Sequence, residues 1–271
     1  MSNPYEDLLL PPAEGERVRS ADIEVDGIAV PVGLALKEGA TRLVVFYNGA
    51  VSRTIAPTAR VFQRSSWAQE VDAHCLYVCD PSLYADTRGS IGWSQVDETR
   101  WGGTLYPKIV AEVSELIDVQ AGRRLHYGSS AGGYQALVTA AADKGSQALV
   151  NNPQTDWFQY NIQHVVESAR ARSFPELSRE EILESYDYRV KVWRWFEKCQ
   201  NIPEFTYLVN TASETDTAVM ADGLLSNLTQ MHSSHPKSKW TLHQYFNEKQ
   251  NHNPLGKPQT LAWINSTLSN Q

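Results

Sequence analysis

The 271-residue chain is 42% hydrophobic and 20% charged, the balance of a soluble globule long enough to bury a three-layer core. Its net charge of −7 contains no block of like charges, which argues against a broad nucleic-acid surface or an anionic membrane as the main partner. The three cysteines, Cys75, Cys79 and Cys199, have no zinc-type spacing, and four residues of strand between the first two span about 13 Å, too far for a disulfide within that strand. The N-terminus has neither a charged n-region nor an apolar stretch of signal length, and no run approaches membrane-spanning length, so a cytoplasmic protein is expected. In chain order, the first elements are extended runs over 17–25 and 28–36, joined by the hairpin pair Asp26-Gly27. The β-branched run 43–47 reads as a strand buried on both faces, and a helix is expected over 59–71. The strand "HCLYVCDP" leads into a polar, aromatic loop over 82–103, long enough to suggest a function. Then follow a helix in "TLYPKIVAEVSELIDV", a strand in "RRLHYGS", a helix in "AGGYQALVTAAADKG" and a strand in "QALVNNP". Residues 154–202 are helical and aromatic-rich, more than one crossover helix needs, and read as an inserted cap in a single domain spanning 1–271. "EFTYLVNTA" returns to strand, "TAVMADGLLSNLTQMH" to helix, "KWTLHQYF" to strand and "KPQTLAWINSTL" to a final helix. A hairpin followed by alternating strands and helices implies an α/β fold, with about eight strands in a mostly parallel sheet and helices on both faces.

The chemistry concentrates in "YGSSAGGYQAL". Gly128-Ser129-Ser130-Ala131-Gly132 matches G-x-S-x-G between a buried strand and a helix, the context that a nucleophile on a sharp turn requires. Small residues are needed two before and two after the nucleophile, which selects Ser130, because Ser129 has Tyr127 on one side at that distance. The Lys-Ser/Thr pair that completes a phosphate-binding loop is missing, since Tyr134 and Gln135 follow the glycines, and no dinucleotide G-x-G-x-x-G occurs.

The elbow and the order of elements around it, over about residues 17–268, resemble the α/β-hydrolase family. The double glycine followed by an aromatic is similar to the S-x-G-G form of esterase-like members and of some bacterial glycan-modifying acyltransferases. The resemblance implies a triad in the order Ser, acid, His. The acid then falls on "TASETDTAV", where Glu214 and Asp216 are both available and Asp216, just before the next helix, is preferred. The base is His252 in "NEKQNHNPLGKP", after the last strand. His243 lies in the strand pattern, and His232 and His235 fall at the other end of the sheet. A serine hydroxyl needs a base to become a nucleophile, a histidine can take and return its proton, and a carboxylate holds the imidazole's tautomer. The resemblance also implies an oxyanion hole from the N–H of Ala131 and from the loop Asn48-Gly49-Ala50, with Gly49 and Ala50 both candidates.

Eight Trp and twelve Tyr are many for this length. Trp93, Trp101, Arg100 and Trp157 are expected to contact substrate, with Arg88 and Arg100 candidates for an anionic substrate group, although single aromatics at helical spacing commonly pack a core. Three functions are carried forward: a serine carboxylesterase acting on a small-molecule or glycan ester, an acyltransferase that passes the same acyl group to a sugar or other alcohol, and a non-catalytic binding protein of this fold. No metal or organic cofactor is implied, and a homo-oligomer is left open.

Overall fold

Strand residues in this chain alternate between two cores. Val45 and Tyr47 face one and Val44 and Phe46 the other, as the two-residue period of a strand buried on both faces demands. The computed structural model describes residues 3–84, 89–231 and 234–270. The expected site residue Arg88 and the loop histidine His232 lie outside them.

A short helix α1 (Pro4–Asp7) precedes the hairpin β1 (Arg19–Val25) and β2 (Ile28–Ala35). Asp26 and Gly27 connect the two strands with φ of 51° and 73°, the paired left-handed geometry of a two-residue hairpin turn. Then come β3 (Leu43–Tyr47), β4 (His74–Val78), α2 (Gly102–Leu116), β5 (Arg124–Ser129), α3 (Ala131–Ala142) and β6 (Gln147–Asn151). Three helices, α4 (Gln163–Ser173), α5 (Arg179–Ser185) and α6 (Val192–Cys199), separate β6 from β7 (Glu204–Asn210). The chain closes with α7 (Asp222–Met231), β8 (Trp240–Tyr245) and α8 (Lys257–Ser269).

The strands form one eight-stranded sheet in the order β1-β2-β4-β3-β5-β6-β7-β8. β1–β2 and β2–β4 are antiparallel and every other pair is parallel, so the C-terminal ends of β3 and β5 to β8 share one edge. Residues of α2, α3, α6 and α7 pack on one face, while Leu261, Ile264 and Leu268 of α8 cover the other with Phe62 and Trp67. Helix α3 is buried along its length, and its run of Ala and Gly lets it lie close against β5, β6 and β3.

The helix expected over 59–71 does not form. Ala59 and Arg64 have φ of 58° and 67°, and only a short 3₁₀ turn, Ser65–Glu70, is helical. Tertiary hydrogen bonds override the local propensity: the Asn48 amide donates to the Val61 carbonyl (2.7 Å) and accepts the N–H of Gln63 (3.2 Å), stitching this segment to the end of β3. The segment expected as a helix over 217–232 begins instead as a π-helical turn, Thr215–Ala221. The described part of the loop 82–103 folds inward. Buried Asp80 accepts hydrogen bonds from Ser82 and from the Ser94 N–H, and Gln95 and Arg189 clasp each other. Arg189 is itself buried and donates to the carbonyls of Asp97 (2.7 Å) and Glu98 (2.6 Å), fastening the segment between β6 and β7 to this loop.

Asp156, in the same segment, is buried and accepts the Phe158 N–H at 3.1 Å. Burial pushes its carboxyl up to about 6, against the pull of Lys191 and of nearby backbone N–H groups. A raised acid pKa means that the folded state holds the proton more tightly. Its stabilising contribution is complete below the unfolded value near 4 and is lost as pH rises through about 6. Asp156→Asn keeps the acceptor and removes the charge. Urea unfolding should therefore show the variant gaining on the wild type between pH 4 and 7, by up to about 3 kcal/mol, whereas a difference independent of pH would contradict the assignment.

Candidate active site

Ser130 stands between β5 and α3 with φ of 55° and ψ of −127°, a conformation rare for a residue with a side chain. The two glycines around it are sterically required. A Cβ on Gly128 would lie 2.0 Å from the Gly132 carbonyl oxygen, and one on Gly132 would lie 2.6 Å from the Tyr47 carbonyl oxygen. The turn is held by a shared bond from the Ser130 N–H to the Asn151 and Asn152 carbonyls, each at 3.2 Å, and by the Gln154 N–H donating to the Ser130 carbonyl at 3.1 Å.

The turn presents Ser130 Oγ 2.9 Å from Nε2 of His252. Nδ1 of the same ring lies 2.9 and 3.0 Å from the two carboxylate oxygens of Asp216. With its proton on Nδ1, the ring donates to the carboxylate and leaves Nε2 to accept from the serine hydroxyl. Asp216 is buried in the first turn after β7, whereas Glu214 is exposed two residues earlier. The structure thus brings together Ser130, His252 and Asp216. Ser129 is turned away: its buried Oγ accepts from Arg64 Nη2 at 2.8 Å. Three other histidines are engaged elsewhere. His126 is buried between Tyr47 and Asp143, His74 accepts the Lys37 N–H, and His243 packs on Trp263.

Three asparagines that sequence reasoning missed hold the His252 loop. Asn152 donates to the His252 carbonyl (2.9 Å) and accepts the Asn210 N–H (2.9 Å). Asn210 donates to the carbonyls of Asn247 and Asn251, each at 2.7 Å. Asn151 accepts the Leu255 N–H (2.7 Å) and donates to the Tyr245 hydroxyl (2.9 Å). All three are buried at the C-terminal ends of β6 and β7. Their one sequence signal is polar amides closing otherwise apolar strands, "ALVNN" and "YLVN".

For the oxyanion, Ala131 is the first residue of α3, where a helix leaves its N–H groups unpaired and its dipole favours negative charge. The two candidates on the facing loop differ. The Gly49 N–H already donates to Gln63 Oε1 at 3.0 Å, whereas the Ala50 N–H has no partner among the described residues. Gln63 also donates to the Ala50 carbonyl at 2.8 Å and so braces both residues.

The expected substrate contacts are corrected. Trp93, Trp101 and Trp157 are at most 2% exposed and belong to the core. Trp93 stacks on Trp157 and donates to Gln154 Oε1 (2.6 Å), Trp157 donates to the Arg189 carbonyl (2.8 Å), and Trp101 packs edge-on against Trp195. A large ring gains most by leaving water, and each of these two indole N–H groups finds a protein acceptor. Arg100 pairs with Asp97 near the β1–β2 turn. The cavity beside the site is instead a hollow of about 450 Å³ whose wall includes His252, Asp216, Gln154, Tyr160, Glu214 and Asn251. It contains two carboxylates and no lysine or arginine among the described residues. No group of His, Cys, Asp and Glu side chains suited to a metal ion occurs among those residues either.

Solved structures share this architecture. The capsule O-acetyltransferase of Neisseria meningitidis serogroup A, in a mutant form bound to CoA, superimposes with a TM-score of 0.57 at 11% identity over 93% of this chain and 97% of that one. An acetyl xylan esterase from Paenibacillus sp. R4 gives 0.60 at 15% identity, over 90% and 80% of the two chains. An S-formylglutathione hydrolase from Agrobacterium tumefaciens gives 0.55 at 14%, over 93% and 91%. The chain has the α/β-hydrolase fold. Neither a family model nor a curated protein matches the sequence. Within that fold, Ser130 stands at the turn from β5 to α3, Asp216 follows β7 and His252 follows β8.

The two carboxylates of this loop should separate in kinetics. Asp216→Asn should lower kcat toward any ester the protein turns over by about 10⁴-fold, as a mispositioned tautomer does. Glu214→Gln should keep the kcat for an aryl acetate within about threefold, because its carboxylate does not touch His252. The reverse ranking would move the acid to Glu214.

Proposed function

We propose that the protein is a serine carboxylic-ester hydrolase acting on a soluble, polar ester through an acyl-enzyme on Ser130. The observation that carries this reading is the continuous hydrogen-bonded line Ser130–His252–Asp216, with both contacts of His252 at 2.9 to 3.0 Å. His252 takes the hydroxyl proton as Ser130 Oγ attacks the ester carbonyl. Asp216 stabilises the imidazolium that forms. The oxyanion of the tetrahedral intermediate lies between the N–H groups of Ala131 and Ala50, each worth about 3–4 kcal/mol of transition-state stabilisation. Collapse expels the alcohol, which receives its proton from His252. Water then attacks the acyl-enzyme with the same histidine as base, and acid is released.

The likeness to an O-acetyltransferase carries a second reading, in which an alcohol replaces water. Hydrolysis is favoured because no lysine or arginine among the described residues lines the cavity, where the phosphates of CoA would call for cations. The segment 154–202 serves as the outer wall of the substrate site, since Gln154, Tyr160 and Ile162 line that cavity. Free, buried Cys75 and Cys79 suit a reducing compartment, and no helix among the described residues is long and apolar enough to cross a membrane.

A panel of aryl and sugar acetates, run with and without an added acceptor alcohol, tests the reading. The wild type should release acetate, Ser130→Ala should lose about 10⁴-fold or more in kcat with an unchanged circular dichroism spectrum, and added alcohol should yield little new ester. Activity surviving Ser130→Ala would contradict the acyl-enzyme. Quantitative transfer to the alcohol would favour the second reading.

A further inference from the structure

Asp216 has to be aimed by its backbone. Its two carboxylate oxygens lie 2.9 and 3.0 Å from His252 Nδ1, and no other hydrogen bond to them occurs among the described residues. The backbone that carries this side chain is unusual. Asp216 is the second residue of the π-helical turn Thr215–Ala221, which runs directly into α7. A π turn bonds each residue five along the chain instead of four, so it takes up more residues than an α-helical turn. α7 is fixed downstream, because Leu224, Leu228 and Met231 are buried in the core. The direction in which Asp216 points from that fixed helix is therefore set by the turn. Rewinding the turn as α-helix would rotate Asp216 by one residue's worth, roughly 100° about the axis, and carry its carboxylate off His252.

Turns of this kind are rare and short, and they persist where the surroundings hold them. Here a hydroxyl from another part of the chain reaches in. Thr155 Oγ1 donates to the Met220 carbonyl, inside the turn, at 2.8 Å, with the Met220 sulfur 3.9 Å away. Thr155 and Met220 are both fully buried, so the bond is made out of reach of water and would be costly to lose. Thr155 is itself anchored. Its carbonyl accepts the Val192 N–H at the start of α6 at 2.9 Å, and its neighbour Gln154 donates a backbone N–H to the Ser130 carbonyl at 3.1 Å. One short stretch after β6 thus holds the backbone of the nucleophile through residue 154 and the turn of the acid through residue 155. We propose that Thr155 is a positioning residue for the acid: its hydroxyl keeps the turn Thr215–Ala221 π-helical and so aims Asp216 at His252. The inference rests on the triad of the esterase reading above and goes beyond it by naming the group that sets the triad's third member.

Thr155→Val keeps the shape of the side chain and removes the donor, and Thr155→Ser keeps the donor and removes a methyl group. With 4-nitrophenyl acetate, Thr155→Val should lower kcat about 10- to 100-fold, the loss of one buried donor, with KM within about threefold of the wild type, and Thr155→Ser should keep kcat within about threefold. The decisive readout is a double-mutant cycle on the rate at which a fluorophosphonate labels Ser130. Thr155→Val should slow labelling about 10- to 100-fold in the wild-type background, but by less than about threefold in Asp216→Asn, where the aim of the acid no longer matters. An equal slowing in both backgrounds would make Thr155 a packing residue and overturn the proposal, as would wild-type kcat in Thr155→Val; either result leaves the triad standing. If Thr155→Val does not fold, Thr155→Ala in the same two backgrounds decides by the same criteria. Absence of Ser130-dependent labelling and turnover in the wild type would overturn the esterase reading and the inference with it.

Discussion

The backbone of Ser130 is the constraint on which the rest depends. A residue with a side chain is held at φ 55° because β5 must turn into α3 within one step, and the turn closes only if Gly128 and Gly132 lack Cβ atoms. The strain lifts Oγ out of the sheet's edge and places the Ala131 N–H at the start of a buried helix. Neighbouring structure supplies what the turn cannot. The carbonyls of Asn151 and Asn152 hold the Ser130 N–H, and Gln154 holds its carbonyl, so the end of β6 acts as the mould for the end of β5.

The same strand end reaches the other half of the site. Asn151 and Asn152 carry side chains that bind the loop of His252, and Asn210 on β7 joins them. The distance from His252 to Ser130 is thus set through buried amides, each with both its donor and its acceptor engaged, rather than by the long loop 246–256 alone. Buried amides that are fully paired rigidify a structure, and they would be expensive to leave unpaired. Arg64 plays a related part on the opposite face of the sheet. It stacks over Tyr127 and Trp67 and bonds Ser129, steadying the residue before Ser130.

Much of the fold was legible because its signals are local. Asp26-Gly27 specifies its hairpin, and the five apolar residues 43–47 form the doubly buried β3 their composition implies. Ser130 was readable because its glycine requirement is a property of the turn itself. Two features escaped for one physical reason, that tertiary contacts outweigh local preference. Residues 59–71 resemble a helix until Asn48 captures Val61 and Gln63. Trp93, Trp101 and Trp157 resemble binding aromatics, yet apolar area drives them into the core.

The central claim is that Ser130 carries the acyl group between two half-reactions. The most direct measurement is rapid acid quenching of the protein during turnover of 4-nitrophenyl acetate, followed by peptide mass mapping. The account predicts one acetyl group on the peptide containing Ser130, located on that serine, absent in Ser130→Ala and formed at least 10-fold more slowly in His252→Ala, which lacks the general base (~10²–10⁴-fold by the usual range). Turnover with no acylated peptide, or an acetyl group found on Ser129, would contradict it.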